Sequence, residues 1–231
     1  GTLLFIATDQ GLYRSINGGT NWIKNNGTEV TNAGALAVAD GKLFVSAAGG
    51  VFRSDDNGES WLLKSAGLTN PYINRLVASG PDLFACTQGG GVFCSKDLGE
   101  IWMPVNQGLN CSNISSLAIQ DSVLFAGTLH GVARSDNYAG NWSYSNQGMF
   151  RANVEAINAI YDTLFVSAGT GLYRSSNQGN TWEDISGRLC EKSVSAIIRS
   201  GANLFAGSDS VYRSPDNGQS WLQSSQGFVN S

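Results

Sequence analysis

The chain has 231 residues, enough to bury one large core, and 42% of them are hydrophobic. Only 14% are charged and 29 are glycine, a composition that favours many short strands joined by tight turns over a helical bundle. The net charge of −4 argues against nucleic acid or an anionic membrane as a partner, because both need a basic protein surface.

The first predicted element is a strand, Leu4-Phe5-Ile6-Ala7, which we name strand b. A short turn follows, and then a second strand, Leu12-Tyr13-Arg14-Ser15, which we name strand c. Both strands recur along the chain. The Leu-Phe pair of strand b returns at positions 43, 83, 124, 164 and 204, and strand c carries an arginine in five of six copies. These arginines are expected on the sheet surface or between neighbouring repeats.

An eight-residue motif, here called the octet, follows each strand c. The copy at residues 54–61 reads Ser-Asp-Asp-Asn-Gly-Glu-Ser-Trp, and the closing Trp recurs at spacings of 39, 41, 40, 40 and 39 residues. The third position can accept hydrogen bonds from the backbone just ahead and hold a tight turn, and the Trp offers a large apolar face for burial. The third positions are Asn17, Asp56, Asp97, Asn137, Asn177 and Asp216, and the closing residues are Trp22, Trp61, Trp102, Trp142, Trp182 and Trp221.

The fourth octet departs from the others at its fifth position. Five octets have glycine there, where a positive φ is tolerated, whereas the fourth has Ala139, with Gly140 one residue later. We therefore expect a distorted turn in this copy and a smaller stability loss for Trp142→Ala than for Trp61→Ala.

Two further strands complete each repeat. Strand d is predicted to start at the Trp of the octet. Strand a precedes the next strand b and is centred on Leu36, Leu76, Leu117, Ile157 and Ile197. Four short strands in about 40 residues form one antiparallel sheet, and a sheet that is apolar on both faces must stack on its copies. We therefore predict one all-β domain over residues 1–231, a six-bladed β-propeller of four-stranded antiparallel blades, with an open solenoid as the alternative.

The ends of the chain bear on closure of the predicted ring. Strand a occurs only five times, so the first blade is expected to lack its inner strand, and we expect flanking sequence to supply it. An arc of a propeller with seven or more blades is the alternative.

The pattern Ser-x-Asp-x-Gly-x-x-Trp after a Val/Leu-Tyr-Arg strand resembles the Asp-box, or BNR, repeat. That repeat is known from sialidases, sortilin-type receptors, xyloglucan-active glycosidases and photosystem II assembly propellers. The resemblance covers the whole chain and implies a propeller with Asp-box turns. Because these proteins include enzymes, receptors and assembly factors, the resemblance implies fold and leaves function open.

Enzymatic readings find little support in the sequence. The resemblance implies that a sialidase would have three convergent arginines, one of them in an Arg-Ile-Pro motif, and that motif is absent. A glycosidase needs two carboxylates about 5–10 Å apart across a cleft. The non-repeat candidates for such a pair are Glu29, Glu155, Asp184 and Glu191. His130, the single histidine, lies in a predicted b–c turn without a partner motif, so we interpret it as a solvated turn residue.

No metal or other cofactor is predicted. Octets with Asp-x-Asn-Gly lack the remaining ligand spacing of a calcium loop, and no Cys-x-x-Cys occurs. Cys86 and Cys94 fall on neighbouring strands without clearly facing each other, while Cys111 and Cys190 are expected to be distant from one another. No apolar run is long enough for a membrane-spanning helix, and membrane insertion is not expected.

Strand alternation predicts where a ligand binds. The a–b and c–d turns share one face, the turn face, which the octets occupy, and the b–c turns and d–a loops share the other, the loop face. The ligand-binding candidates on the loop face are Tyr72, Phe150, Arg151, Arg188, Glu191, Lys192 and His130. We expect a non-enzymatic binding or scaffold module of a secreted, cell-surface or periplasmic protein that recognises a glycan or a protein. The alternatives are a glycoside hydrolase and an assembly factor for a larger complex.

Overall fold

The computed structural model of the chain describes residues 3–25, 30–189 and 193–224. These residues form six sheets, each of which is one blade with strands in chain order. Blade one contains β1 (Leu4–Thr8), β2 (Gly11–Ser15) and β3 (Ile23–Lys24). Blade two contains β4 (Leu36–Ala39), β5 (Lys42–Ala47), β6 (Gly50–Ser54) and β7 (Leu62–Leu63). Blade three contains β8 (Ile73–Ser79), β9 (Asp82–Thr87), β10 (Gly91–Ser95) and β11 (Met103–Pro104).

The second half of the chain repeats this plan. Blade four contains β12 (Ile114–Gln120), β13 (Val123–Thr128), β14 (Gly131–Ser135) and β15 (Ser143–Tyr144). Blade five contains β16 (Val154–Ile160), β17 (Thr163–Ala168), β18 (Gly171–Ser175) and β19 (Glu183–Asp184). Blade six contains β20 (Ala196–Ser200), β21 (Asn203–Gly207), β22 (Val211–Ser214) and β23 (Leu222–Gln223). A short 3₁₀ helix, Gly187–Leu189, is the one helical element in the described residues.

The architecture is the predicted six-bladed β-propeller of antiparallel four-stranded blades, with three strands in the first. Each outer strand, d, begins one residue after its Trp rather than at the Trp itself. The chain forms two compact units, Gly1–Ile114 and Ser115–Ser231. Blades one to three belong to the first unit and blades four to six to the second, apart from Ile114, the first residue of β12.

The core of each unit lies between successive blades. In the first unit, Phe44 and Val51 of blade two pack in one buried cluster with Leu83 and Trp102 of blade three. The indole nitrogen Nε1 of Trp102 donates to the Lys64 carbonyl, 2.8 Å away, so the Trp attaches its octet to strand d of the preceding blade. In the second unit, Trp182 makes the same bond to Ser145 and Trp221 to Ile185.

The octet is held by its serine as well as by its third residue. Ser54 is buried, and its hydroxyl oxygen accepts from the Gly58 amide at 2.7 Å while donating to the Asp56 carboxylate at 2.7 Å. The same carboxylate accepts from the backbone amides of Glu59 and Ser60. This confirms that the third position accepts backbone hydrogen bonds, and it adds the serine as the buried centre of the turn.

The fourth octet corrects the expectation of a distorted turn. Ala139 adopts φ of +67°, close to the +75° of the equivalent Gly179. Its amide donates to the Ser135 hydroxyl oxygen at 3.0 Å, and the Asn141 amide donates to Asn137 at 2.8 Å, as in the other octets. The hydrogen bonds of the turn, of which the one to Ser135 is buried, therefore hold Ala139 in a left-handed backbone conformation that alanine by itself disfavours.

The repeat arginines connect blades to each other. Arg53 of strand c donates to the Leu98 carbonyl and to Glu100, both at 2.9 Å and both in the octet of the next blade. Arg134 reaches Asn180 in the same way, and Arg174 reaches the Asn217 carbonyl. The interblade interpretation of these arginines is therefore confirmed for these three side chains.

Candidate functional site

The two predicted faces are visible in the hydrogen bonds within blades and between neighbouring ones. On the loop face, the Asn146 side chain donates to the carbonyl of His130, which joins a d–a loop to a b–c turn. The amides of Gly89 and Gly91 likewise donate to the Ser112 carbonyl. On the turn face, Lys42, the first residue of β5 after the a–b turn, lies 2.7 Å from Asp55 of an octet.

A groove opens on the loop face between blades two and three. Its volume is about 240 Å³, and Tyr72 forms part of its lining. The end of β5 and the d–a loops that precede blades two and three supply most of its walls. The lining residues are Asn32, Gly34, Ser46, Ala47, Ala48, Pro71, Tyr72, Ile73, Asn74 and Gln88.

Tyr72 is fixed through its backbone and exposed through its side chain. Its amide donates to the Asn70 side chain at 2.9 Å, and its carbonyl accepts from the Gln88 amide at 2.9 Å. Asn70 in turn donates to the Gln88 carbonyl, which closes this small network. The Tyr72 side chain is 70% exposed. A fixed backbone that presents a free aromatic ring loses little conformational entropy when a ligand binds.

The groove is uncharged, and its lining combines apolar residues with neutral polar ones. All ten lining residues are neutral at pH 7, and the side-chain amides of Asn32 and Gln88 have no hydrogen-bond partner within the described part of the chain. Ser46 accepts from the Ala35 amide and keeps its own hydroxyl proton to donate. The surface therefore offers neutral donors and acceptors beside one aromatic ring, and it offers no charge to an ionic ligand.

The other described candidates belong to the second unit. Phe150 and Arg151 are exposed and adjacent in the loop that leads into blade five. Burial raises the pKa of the buried Tyr173, and the nearby backbone of Phe150 and Arg151 acts in the opposite direction. His130 is exposed in its b–c turn, and its ring packs edge-on against Tyr144 with centroids 6.2 Å apart.

The last candidate loop is described only in part. Arg188 is exposed in the 3₁₀ helix, whose neighbouring residue Leu189 is fully buried and anchors it. Glu191 and Lys192 lie outside the described residues, as do Cys190 and Glu29. Tyr72 is thus the one predicted ligand-binding residue that the structure places in a groove of the first unit.

The two described glycosidase candidates do not form a catalytic pair. Glu155 lies on β16, the inner strand of blade five, and accepts from the Ser193 hydroxyl at 2.6 Å. Asp184 lies on β19, the outer strand of the same blade, and accepts from the amide and hydroxyl of Ser186. Three strand spacings of about 4.8 Å separate them, roughly 14 Å in all, which exceeds the separation that glycoside hydrolysis needs.

Among the described carboxylates, a lowered pKa marks the octets. Hydrogen bonds from the side chain and backbone of Ser60, and from Ser54, hold the pKa of Asp56 well below its usual range. Equivalent bonds from Ser220 and Ser214 lower the pKa of Asp216 to about 2. Lys64 and then Arg53 lower the pKa of Glu100. These shifts arise from structural bonds of the turn and the interblade contacts, and they keep the carboxylates ionised at neutral pH.

The described cysteines, Cys86, Cys94 and Cys111, form no disulfide with one another, and the first two are buried. Cys86 pairs across the hairpin with Val92, and Cys94 with Phe84, so the two thiols are not opposite each other. Burial raises the pKa of Cys86 to about 12 and that of Cys94 to about 11, which suppresses the reactive thiolate. No cluster of three or more His, Cys, Asp or Glu in residues 3–25, 30–189 and 193–224 is placed to hold a metal ion.

On the loop face, a polar residue that the sequence did not indicate supports each of four b–c turns. The residue four positions after the Trp supports the b–c turn: Asn106 accepts from the Val92 amide and donates to the Gly90 carbonyl. Asn146 does the same in blade four, and Ser65 and Ser186 accept the equivalent amide in blades two and five. Because the identity changes between Asn and Ser, only their common polarity at one repeat position could have indicated this role.

Solved structures similar to this chain are propellers of diverse function. YCF48 bound to a D1 peptide matches 96% of this chain over 78% of its own, with 16% identity and a TM-score of 0.74. The GH74 xyloglucanase from Xanthomonas campestris matches 96% over 43% of its own chain, with 17% identity and a TM-score of 0.78. The extracellular domain of the B. thetaiotaomicron protein BT4673 matches 96% over 31%, with 13% identity and a TM-score of 0.78.

These similarities support the resemblance to Asp-box propellers at the level of the fold. Identities this low establish the fold alone, and the chain spans less than half of the xyloglucanase. No family model matches the chain, and no curated protein sequence matches it. A search of the described residues finds no helix long and apolar enough to cross a membrane.

Proposed function

We propose that this chain is a non-enzymatic binding module that recognises a glycan or a protein through its loop face. The observation that carries the proposal is the groove between blades two and three, in which an exposed Tyr72 on a fixed backbone lies beside neutral amides. Aromatic rings beside neutral donors and acceptors suit the apolar faces and hydroxyls of a sugar, and they also suit an extended peptide backbone.

A binding role fits the ionisable groups better than catalysis does. A general acid must hold a proton near the working pH, whereas the perturbed octet carboxylates have lowered pKa values. Of the carboxylates predicted for a catalytic pair, the two described ones, Glu155 and Asp184, lie on opposite edges of one blade. The glycoside hydrolase alternative would therefore need a different pair of acids.

The similar structures are consistent with both proposed ligand types. YCF48 is described with a peptide bound, which supports a protein partner, and the GH74 enzyme is a xyloglucanase, which supports a glycan. BT4673 is represented by an extracellular domain. We propose a secreted, cell-surface or periplasmic location. If the ligand is a protein, the chain could serve as an assembly factor for a larger complex. Co-purification of the chain with a defined partner in a fixed stoichiometry would favour this role.

The test compares two exposed tyrosines on opposite faces. Wild type, Tyr72→Ala and Tyr161→Ala are applied to immobilised panels of neutral glycans, acidic glycans and peptides, and the released material is analysed for cleavage products. Tyr161 is 81% exposed in the a–b turn of blade five, so its removal deletes an equally accessible ring from the turn face.

We expect Tyr72→Ala to weaken binding of a neutral ligand at least about tenfold, or about 1.4 kcal/mol, and Tyr161→Ala to leave it unchanged. Equal behaviour of the two variants would show that the loop-face groove is not the binding site. A specific cleavage product would replace the binding role with the hydrolase alternative.

A further inference from the structure

A second and larger groove lies at the octets, away from the loop face. It has a volume of about 380 Å³ and runs between blades one and two. Its size lies within the range of small-molecule pockets. Its lining among the described residues is Arg14, Ile16, Ile23, Lys24, Asn25, Gly58 and Glu59.

Comparison with the other blades shows that Arg14 lacks the carboxylates that usually hold the strand c arginine. In blade two, Asp55 at the second octet position lies 3.0 Å from the guanidinium of Arg53. In blade four, Asp136 at this position lies 2.7 Å from Arg134. In blade five, Glu183, the residue after the Trp, pairs with Arg174.

Blade one has isoleucine at both of these positions. Ile16 occupies the second octet position and is 59% exposed, and Ile23 follows the Trp and is 64% exposed. Glu59 is the one carboxylate near Arg14 among the described residues, at 3.4 Å, and its side chain is 68% exposed. Blade six also has apolar residues at both positions, Pro215 and Leu222. The feature that distinguishes blade one is therefore the groove beside Arg14.

The groove is open because a lysine is missing. Lys64 of blade two lies three residues after its Trp and contacts both oxygens of Glu100 at 2.7 Å, which covers the equivalent place between blades two and three. Blade one has Asn25 at this position, and its shorter side chain donates to the Gly58 carbonyl at 2.7 Å. Among the described residues, the Glu59 side chain is therefore held by a long contact to Arg14, and no described lysine covers the groove above it.

From these features we infer that the groove between blades one and two binds a small aliphatic carboxylate. The carboxylate pairs with Arg14, which takes it in place of the missing acids, and the apolar chain covers Ile16 and Ile23. Arg14 attracts the carboxylate locally, although the protein as a whole carries a net charge of −4. This site is independent of the loop-face groove and of the function proposed for it.

Calorimetric titration with octanoate and hexanoate tests the inference, with octanol as the uncharged probe. The variant Ile16→Asp restores the carboxylate found in blades two and four and removes one apolar wall. The matched control is Ser176→Asp, which places the same charge at the same octet position of blade five, where the serine is exposed. Both substitutions fall on exposed side chains, and circular dichroism confirms that the variants are folded.

We expect saturable binding of octanoate to the wild type, with affinity rising about three- to fourfold per added methylene. Ile16→Asp is expected to weaken octanoate binding at least about tenfold, and Ser176→Asp to leave it unchanged. Absence of saturable octanoate binding, equally tight binding of octanol, or the same loss in both variants would each overturn the inference. Tighter binding of a peptide that ends in an aliphatic residue with a free carboxylate would overturn the assignment to a small acid.

Discussion

Replacing the fifth octet glycine with alanine should cost different amounts in blades one and two. Gly19 and Gly58 share a positive φ, +92° and +82°, so alanine carries a backbone penalty of about 1–2 kcal/mol at either position. Reduced entropy of the unfolded chain offsets about 0.5 kcal/mol of that penalty. Their surroundings differ. A Cβ on Gly19 would lie 3.5 Å from Leu4, an ordinary contact, whereas on Gly58 it would lie 2.6 Å from Cζ of the Phe5 ring and closer still to Cε1.

We therefore expect Gly19→Ala to lower the free energy of unfolding by about 1 kcal/mol. Gly58→Ala adds an overpacking term of about 1–3 kcal/mol, for a total of about 2–4 kcal/mol. Urea unfolding followed by Trp fluorescence measures both changes, and Trp61 reports directly because its ring lies 6.5 Å from that of Phe5. The double variant Gly58→Ala with Phe5→Leu should recover part of the loss, because the smaller side chain vacates the space. Equal losses for the two glycines, or additive effects in the cycle, would refute the packing argument.

Two further predictions follow from the octets. Trp142→Ala should destabilise the chain as much as Trp61→Ala, each by about 3–5 kcal/mol in urea unfolding, because both side chains are buried and the fourth turn is regular; a clearly smaller loss for Trp142→Ala would restore the idea of a weakened fourth octet. Asp216 has its pKa lowered from 3.8 to about 2 by Ser220 and Ser214, so its contribution to stability is complete above about pH 4 and is lost as the pH falls towards 2. Asp216→Asn, which carries the residue that blades one, four and five use, should show a flatter loss of stability over that range, and parallel curves for the two proteins would contradict the assignment.

The fold was predictable because each repeat supplies its own local signals. Each recurring residue of the octet has its own structural role: the Ser, the Asp or Asn, the Gly and the Trp. Because the octet occurs six times, these roles can be identified from the sequence without information on packing. The regular turn around Ala139 could not be predicted in this way. Its left-handed backbone is tolerated because the amide bond to buried Ser135 holds the turn, and such compensation appears only when the surrounding atoms are placed.

The candidate site was predictable only in part, for a geometric reason. Strand alternation correctly assigned the loop face, and Tyr72 was identified as an exposed aromatic residue there. Asn32 was missed because it comes from the loop before blade two and meets Tyr72 only through interblade packing, and Gln88 was missed because only the pairing of β8 with β9 brings it to Tyr72. The separation of Glu155 from Asp184 likewise depends on the strand order within blade five, which single carboxylates in a sequence do not reveal.

The residues that recur in every octet make the hydrogen bonds and contacts that hold the blades. Functional residues are therefore expected among those that do not recur. The octet serine is buried, and the Asp56 carboxylate accepts from Ser60, Ser54 and backbone amides, which lowers its pKa and fits a structural role. A departure from the repeat is not sufficient evidence either, because Ala139 departs and leaves its turn intact. A functional role is indicated where a departure from the repeat also leaves a polar or charged side chain with few bonding partners next to a groove. Arg14 with Ile16 and Ile23 meets both conditions at the octets, and Tyr72 with Gln88 meets them on the loop face.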